Sequence, residues 1–161
     1  MVVLGIDPGL ERVGIGVIER TGSKIEPIHY GLILTERVAI RDRLVAIHDQ
    51  LDEIIQRYRP DAYATEALLF AANRKTAMDV AKALGVILYV GGKHGLDWAE
   101  YSPPQVKLAV VGNGGADKKQ VQFMVTKMLG LAEPPHPDDV ADALAVAICH
   151  ALHSRANLPK K

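Results

Sequence analysis

Cysteine is almost absent from this chain. Its 161 residues hold one, Cys149, set in an alanine-rich helical pattern, which leaves no partner for a disulfide and no thiolate pair for zinc. That residue reads as inert core, and the chain suits a reducing compartment. No apolar run approaches the roughly 20 residues that a bilayer-spanning helix needs, and no charged-then-apolar leader opens the sequence. The expectation is a cytoplasmic protein with no membrane partner. Net charge is missing too, because 19 basic residues balance 19 acidic ones. A zero total does not announce a nucleic-acid partner, but it can conceal acids gathered in a site with bases around it. A second core is also not expected: 161 residues at 48% apolar predict one domain, residues 1–155, with a short tail at 156–161.

What is present begins with the first sixteen residues. Residues 1–6 form a short apolar, β-branched run that reads as a strand buried on both faces, and it ends in Asp7-Pro8-Gly9. A lone carboxylate is costly to bury, so an acid at the tip of a central strand is either exposed at the sheet edge or neutralised by a cation. Pro8 and Gly9 set a tight turn, and residues 12–19 alternate like a return strand. Residues 24–34 read as a third strand, with Pro27 marking an edge or a bulge. Helical spacing then covers 40–58, and Pro60 closes it. Residues 61–66 are a short strand that again ends in an acid, Glu66. Ligands of open α/β sheets sit beyond the carboxyl ends of the strands, so Asp7 and Glu66 are candidates for one shared site.

The stretch after Glu66 places Leu69 and Phe70 beside Asn73, Arg74 and Lys75. An aromatic among bases and an amide suits stacking on nucleic acid, and it equally suits stapling the next helix. That helix is expected over 76–90, with Ala77, Val80, Ala81, Leu84, Ile87 and Leu88 apolar and Gly91-Gly92 as its stop. A strand follows at 96–101, whose Trp98 is expected in the core. Ser102-Pro-Pro-Gln105 has capping-box spacing and starts a helix to Val111, with Lys107 one turn in. After the flexible Gly112-Asn-Gly-Gly115, Asp117-Lys-Lys-Gln120 repeats the cap and a helix runs to about Leu129, stopped by Gly130. Lys118 and Lys119 oppose that helix's own dipole, which points to an outside anion such as a phosphate backbone; a solvated loop explains them as well.

The last helix opens at Asp138-Asp139-Val-Ala-Asp142 and continues in alanine and aliphatics, with Ala141, Ala145, Ile148 and Leu152 predicted to pack on the sheet. Its acids three and four apart share a face. Capping and dipole complementarity account for Asp138 or Asp139 but poorly for Asp142. If Asp7, Glu66, Asp139 and Asp142 meet, their charges repel unless cations enter. Oxygen-only donors suit Mg²⁺ or Mn²⁺. Two such ions about 4 Å apart support in-line phosphodiester hydrolysis.

The strings GIDPG at 5–9, PDAYATE ending at Glu66, QVK at 105–107, VVGNGGADKKQV at 110–121 and DDVADALAVAICH at 138–150 together resemble the RuvC family of Holliday-junction resolvases, in order and over nearly the whole chain. The resemblance implies an α/β, RNase H-like fold with a mixed five-stranded sheet and helices on both faces. It implies a homodimer making paired, symmetric, Mg²⁺-dependent incisions in four-way junction DNA during recombination and repair, alongside the branch-migration helicase complex of that pathway. It assigns Asp7, Glu66, Asp139 and Asp142 as catalytic, metal-binding acids, with Mn²⁺ as a substitute for Mg²⁺ and two ions per site. Lys107 and Lys118 match bases that meet phosphate; Leu69, Phe70, Asn73, Arg74, Lys75 and Lys119 complete the expected DNA surface. The chain departs from the family pattern after Glu66: Ala67 stands where Gln is usual, and the aromatic falls at Phe70. A rival is an RNase H-like nuclease acting on RNA ends or repair intermediates, with the same acids and no preference for junctions.

Overall fold

A computed structural model describes residues 1–68 and 74–154 of the chain. Its elements in order are β1 (Val2–Asp7), β2 (Arg12–Thr21), β3 (Lys24–Leu34), α1 (Ile40–Tyr58), β4 (Ala62–Glu66), α2 (Arg74–Lys93), β5 (Asp97–Tyr101), α3 (Pro103–Val111), α4 (Lys118–Met128) and α5 (Asp138–His153). The strands make one sheet in the order β3-β2-β1-β4-β5. β1 runs antiparallel to β2 and parallel to β4, and β4 runs parallel to β5. The sheet is therefore mixed and five-stranded, as the resemblance implies. Pro27 satisfies both of its expectations: β3 is an edge strand, and the ladder slips between Val17 and Ile18, which face His29 and Pro27.

Two cores lie on opposite faces of the sheet. α1 and α2 cover Leu4, Ile6, Ile15 and Tyr63 on one face, while α3, α4 and α5 cover Val3, Ile18 and Ala64 on the other. Because side chains alternate along a strand, Asp7 shares the α5 face with Val3 and Gly5. Glu66 shares that face with Ala64. Parallel pairing of Ile6 with Thr65 brings these two acids side by side at adjoining strand ends.

α5 lies directly against the sheet because glycine leaves it room. A Cβ on Gly5 would come within 2.6 Å of the Ala147 amide nitrogen, and one on Gly16 within 2.9 Å of the Leu144 backbone. The buried stretch of α5 runs through Val140, Leu144, Ile148 and Ala151. Leu152, expected to pack with them, is 42% exposed, although Ala151 beside it is fully buried. Among the described residues no helix is long and apolar enough to cross a membrane.

Three further expectations need correction. α2 begins at Arg74 and runs through Gly91-Gly92 to Lys93; the left-handed glycine that follows it is Gly95, at φ 68°. Gly91 serves close approach instead, because a Cβ there would press on the Tyr63 ring, with the hydroxyl oxygen at 2.6 Å. The buried face of α2 is Ala83, Ile87 and Val90, whereas Ala81 is exposed and Val80, Leu84 and Leu88 are half-buried. Trp98 lies on the edge strand β5 at 44% exposure, with its indole N–H donating to the Thr65 hydroxyl at 3.1 Å.

Candidate functional site

Three elements deliver acids to one end of the sheet. Asp7 ends β1, Glu66 ends β4, and Asp139 and Asp142 occupy the first turns of α5. Gly14 makes the meeting possible: it faces Asp7 across the β1–β2 ladder, and any Cβ there would fall within the Asp139 carbonyl and 3.1 Å from the Asp7 Cβ. The N-terminus of α5 thus rests on the strand beside Asp7.

The electrostatics follow from that convergence. Burial, reinforced by the charges of Asp142, Glu66 and Asp139, pushes the Asp7 carboxyl up to about 8, against a weak opposing pull from Lys118. Burial also raises Glu66, with Asp142 adding to it and Lys118 and Lys107 opposing it. Asp142 is raised by burial and by Asp138 and Asp139, and is lowered by Lys118 and Lys107. Four acids that sense one another in a poorly solvated place are under-neutralised by the protein's own bases. Among the described residues no three acids, histidines or cysteines already stand in a metal-holding arrangement, and two of the acids are engaged by bases. The Arg12 guanidinium is 3.2 Å from Asp139, and the Lys118 ammonium is 3.8 Å from Asp142 and 3.7 Å from Asp138.

The doublet at the start of α5 divides its tasks. Asp139 acts on the Asp7 carboxyl, whereas Asp138 is exposed, accepts from the Gln122 amide at 2.8 Å and faces α4. A cleft of about 240 Å³ is lined by Glu66, Lys107, Lys118 and Asp142, so two acids and two bases line a single opening. Asp117 holds α4 in place beneath it: its carboxylate accepts from the Gln120 amide while the Gln120 side chain accepts from the Asp117 amide, both at 2.9 Å. The expected box at Ser102 is likewise formed, with Gln105 accepting from the Ser102 amide at 2.8 Å. Lys119 is exposed on α4 and does not line this cleft. Leu69, Phe70 and Asn73 lie outside the described residues, and for Arg74 and Lys75 the description extends only to their place in the first turn of α2.

Two contributors escape the sequence reading. Arg12, which opens the return strand, is the direct partner of Asp139. Thr35 is the other. Its amide donates to the Glu11 carbonyl at 3.1 Å, its hydroxyl donates to the Leu10 carbonyl at 2.6 Å, and the Arg43 guanidinium donates to that hydroxyl at 2.9 Å. These bonds fix the turn between Asp7 and Arg12. Only the position of Arg12, just past the turn and opening the return strand, could have signalled its role.

A mixed sheet with acids at the ends of β1 and β4 and on the helix laid across them defines the class: an RNase H-like nuclease fold. Within that class, the profile of the family described as crossover junction endodeoxyribonuclease RuvC matches residues 3–150. Curated relatives carrying that name are 51% identical over 96% of this chain and 95% of the relative in Desulforamulus reducens, and 51% identical over 98% and 96% in Halothermothrix orenii. Among solved structures, T. thermophilus RuvC in complex with Holliday junction substrate superposes with a TM-score of 0.92 at 38% identity, covering 96% of this chain and 95% of that one. The yeast mitochondrial Holliday junction resolvase Ydc2, at 14% identity and TM-score 0.65, shares the fold. The chain belongs to the RuvC family of crossover junction endodeoxyribonucleases.

Proposed function

We propose that the chain resolves four-way DNA junctions by Mg²⁺-dependent phosphodiester hydrolysis, working as a homodimer. The observation that carries this reading is the convergence of Asp7, Glu66, Asp139 and Asp142 at one end of the sheet with Lys107 and Lys118 beside them. Nucleases of this family are metal-dependent, and the residues present fit a hard cation. All four donors are carboxylates, and Asp7 is raised by burial and then by the neighbouring charges of Asp142, Glu66 and Asp139, which a cation would neutralise. Asp7, Glu66, Asp139 and Asp142 would hold the ions, two per site, with Mn²⁺ as a substitute. When bound, such ions supply an activated water and neutralise charge on the phosphate in an in-line displacement.

The chain's own bases do the remaining work. Lys107 and Lys118 stand at the mouth of the 240 Å³ cleft, where a phosphodiester can be held against the acids and oriented for attack from the opposite side. Lys118 leaves Asp142 for that phosphate once the acids are otherwise neutralised. Lys119 and the Leu69 to Lys75 segment extend the DNA surface in this reading.

A four-way junction is close to two-fold symmetric, so an isologous dimer presents two identical sites to two equivalent strands. The outer face of α2 supports such an interface. Met78 and Tyr89 are 61% and 65% exposed, and Gly85 between them has open space where a side chain would stand. The deciding experiment offers purified protein a mobile four-way junction, a linear duplex and a structured RNA in Mg²⁺. Symmetric, ligatable nicks confined to the junction are expected. Equal cleavage of duplex or RNA would overturn the junction assignment, and inertness in both Mg²⁺ and Mn²⁺ would overturn the enzymatic one.

A further inference from the structure

On the side of the acids away from Lys107 and Lys118 lies a second, larger cleft of about 590 Å³, lined by Gly9, Arg12, Arg43, Asp79 and Asp139 among others. Arg12 is an exposed base of this cleft: its side chain is 52% exposed while its guanidinium stays 3.2 Å from Asp139. Arg43 is held in place by its Nε–H, which donates to the Thr35 hydroxyl, while its Nη2 is buried without a hydrogen-bond partner among the described residues. The other carboxylates of the cleft are engaged elsewhere, Glu11 by Arg37 at 3.4 Å and Asp79 by Lys82 at 3.0 Å. If Asp139 turns to a divalent ion, Arg12 has no other unengaged carboxylate in this cleft among the described residues.

We infer that Arg12 is an exchangeable counter-ion, holding Asp139 when no divalent ion is bound and passing to a DNA phosphodiester in the 590 Å³ cleft when the ion takes that carboxylate. The inference rests on the metal reading of the acids given above and adds a residue and a coupling to it. One guanidinium cannot serve a buried-edge carboxylate and a phosphate at once, so metal and DNA each release it toward the other. Linkage then makes the two ligands mutually favourable. The arrangement is matched across the site by Lys118, which holds Asp142 from the opposite cleft.

The test uses the full chain with Arg12→Gln and Arg12→Lys. Mn²⁺ binding is measured by calorimetry without DNA, and junction binding by fluorescence anisotropy over a salt series, with Ca²⁺ and with chelator. Removing the competing cation should tighten Mn²⁺ binding by R12Q about two- to fivefold, the range an exposed ion pair commands. In Ca²⁺, R12Q should bind the junction more weakly with a salt slope smaller by about 1. In chelator its slope should equal that of the unmodified chain, where Asp139 occupies the guanidinium. R12K should restore both behaviours. A residue that merely supports the fold would not tighten metal binding when lost. Unchanged or weaker Mn²⁺ binding by R12Q, or equal salt slopes in Ca²⁺, would overturn the inference while leaving the nuclease reading intact. Failure of the unmodified chain to bind Mn²⁺ would overturn both.

Discussion

Gly14 and Asp139 are in backbone contact across the sheet–helix boundary: the space a Cβ on Gly14 would occupy is filled by the Asp139 carbonyl. Since Gly14 also pairs with Asp7, one absent side chain sets the distance between the two acids. Gly14→Ala should force α5 outward at the end that carries Asp139. The expected cost is about 1–3 kcal/mol of stability, as for other overpacked sites, with cleavage reduced about 100-fold by displacement on the order of 1 Å. Thermal melts alongside junction-cleavage rates would check this, and a variant of full activity would show that α5 does not depend on that contact.

Asp7→Asn and Glu66→Gln should each abolish cleavage while junction affinity persists, because charge for the ion is lost while Lys107 and Lys118 remain. Gel-based cleavage and anisotropy run on the same preparations separate the two effects. Parallel loss of binding and cleavage would assign these acids to folding.

Stability without divalent ions should fall as pH rises. The Asp7 carboxyl stands near 8 in the folded chain against 3.8 ordinarily, so between those values the folded state keeps a proton that the unfolded state has shed. The contribution is full below about 4 and is lost as pH climbs through about 8. Glu66 and Asp142 are raised in the same direction and steepen the decline. Melting temperatures in chelator from pH 5 to 8.5 should drop for the unmodified chain and drop less for Asp7→Asn, and Mg²⁺ should flatten the profile. A melting temperature that rises over this interval would contradict the raised carboxyls.

Lys107→Ala and Lys118→Ala should each weaken junction binding and lower the slope of log affinity against log salt by about 1. Identical slopes in both variants would remove these lysines from the DNA surface.

Tyr89→Glu on the outer face of α2 should dissociate the proposed homodimer, seen by analytical ultracentrifugation at micromolar concentration, and should convert paired incisions into single nicks. Tyr89 is 65% exposed, so the substitution leaves the core untouched. A monomeric unmodified chain at that concentration would dismiss the dimer itself.

Most element boundaries were legible because they are written in local chemistry. α1 spans 40–58 and α3 ends at Val111, as periodicity and caps require. The Asp117 box depends on residues three apart, and the acid at the end of β4 depends on a short run, Ala62-Tyr63-Ala64-Thr65, followed by a charge. Errors arose where a residue's environment comes from distant chain. Gly91-Gly92 signals a stop locally, yet the helix passes through because Tyr63 of β4 fills the space beside Gly91. Trp98 is apolar enough for a core, but its strand is the edge of the sheet, beside β4 on one side only, and the ring stands 44% exposed.

The sequence by itself determined most element boundaries and the family and nominated the four acids, because spacing, capping and side-chain chemistry are properties of residues near one another in the chain. Tertiary structure alone decided that Asp139 rather than Asp138 acts on Asp7, that Arg12 holds it, and that Lys107 and Lys118 share one cleft with Glu66 and Asp142. Those relations depend on which strand faces align and how closely α5 can lie on glycines 5, 14 and 16, and no local pattern encodes a distance between segments more than a hundred residues apart.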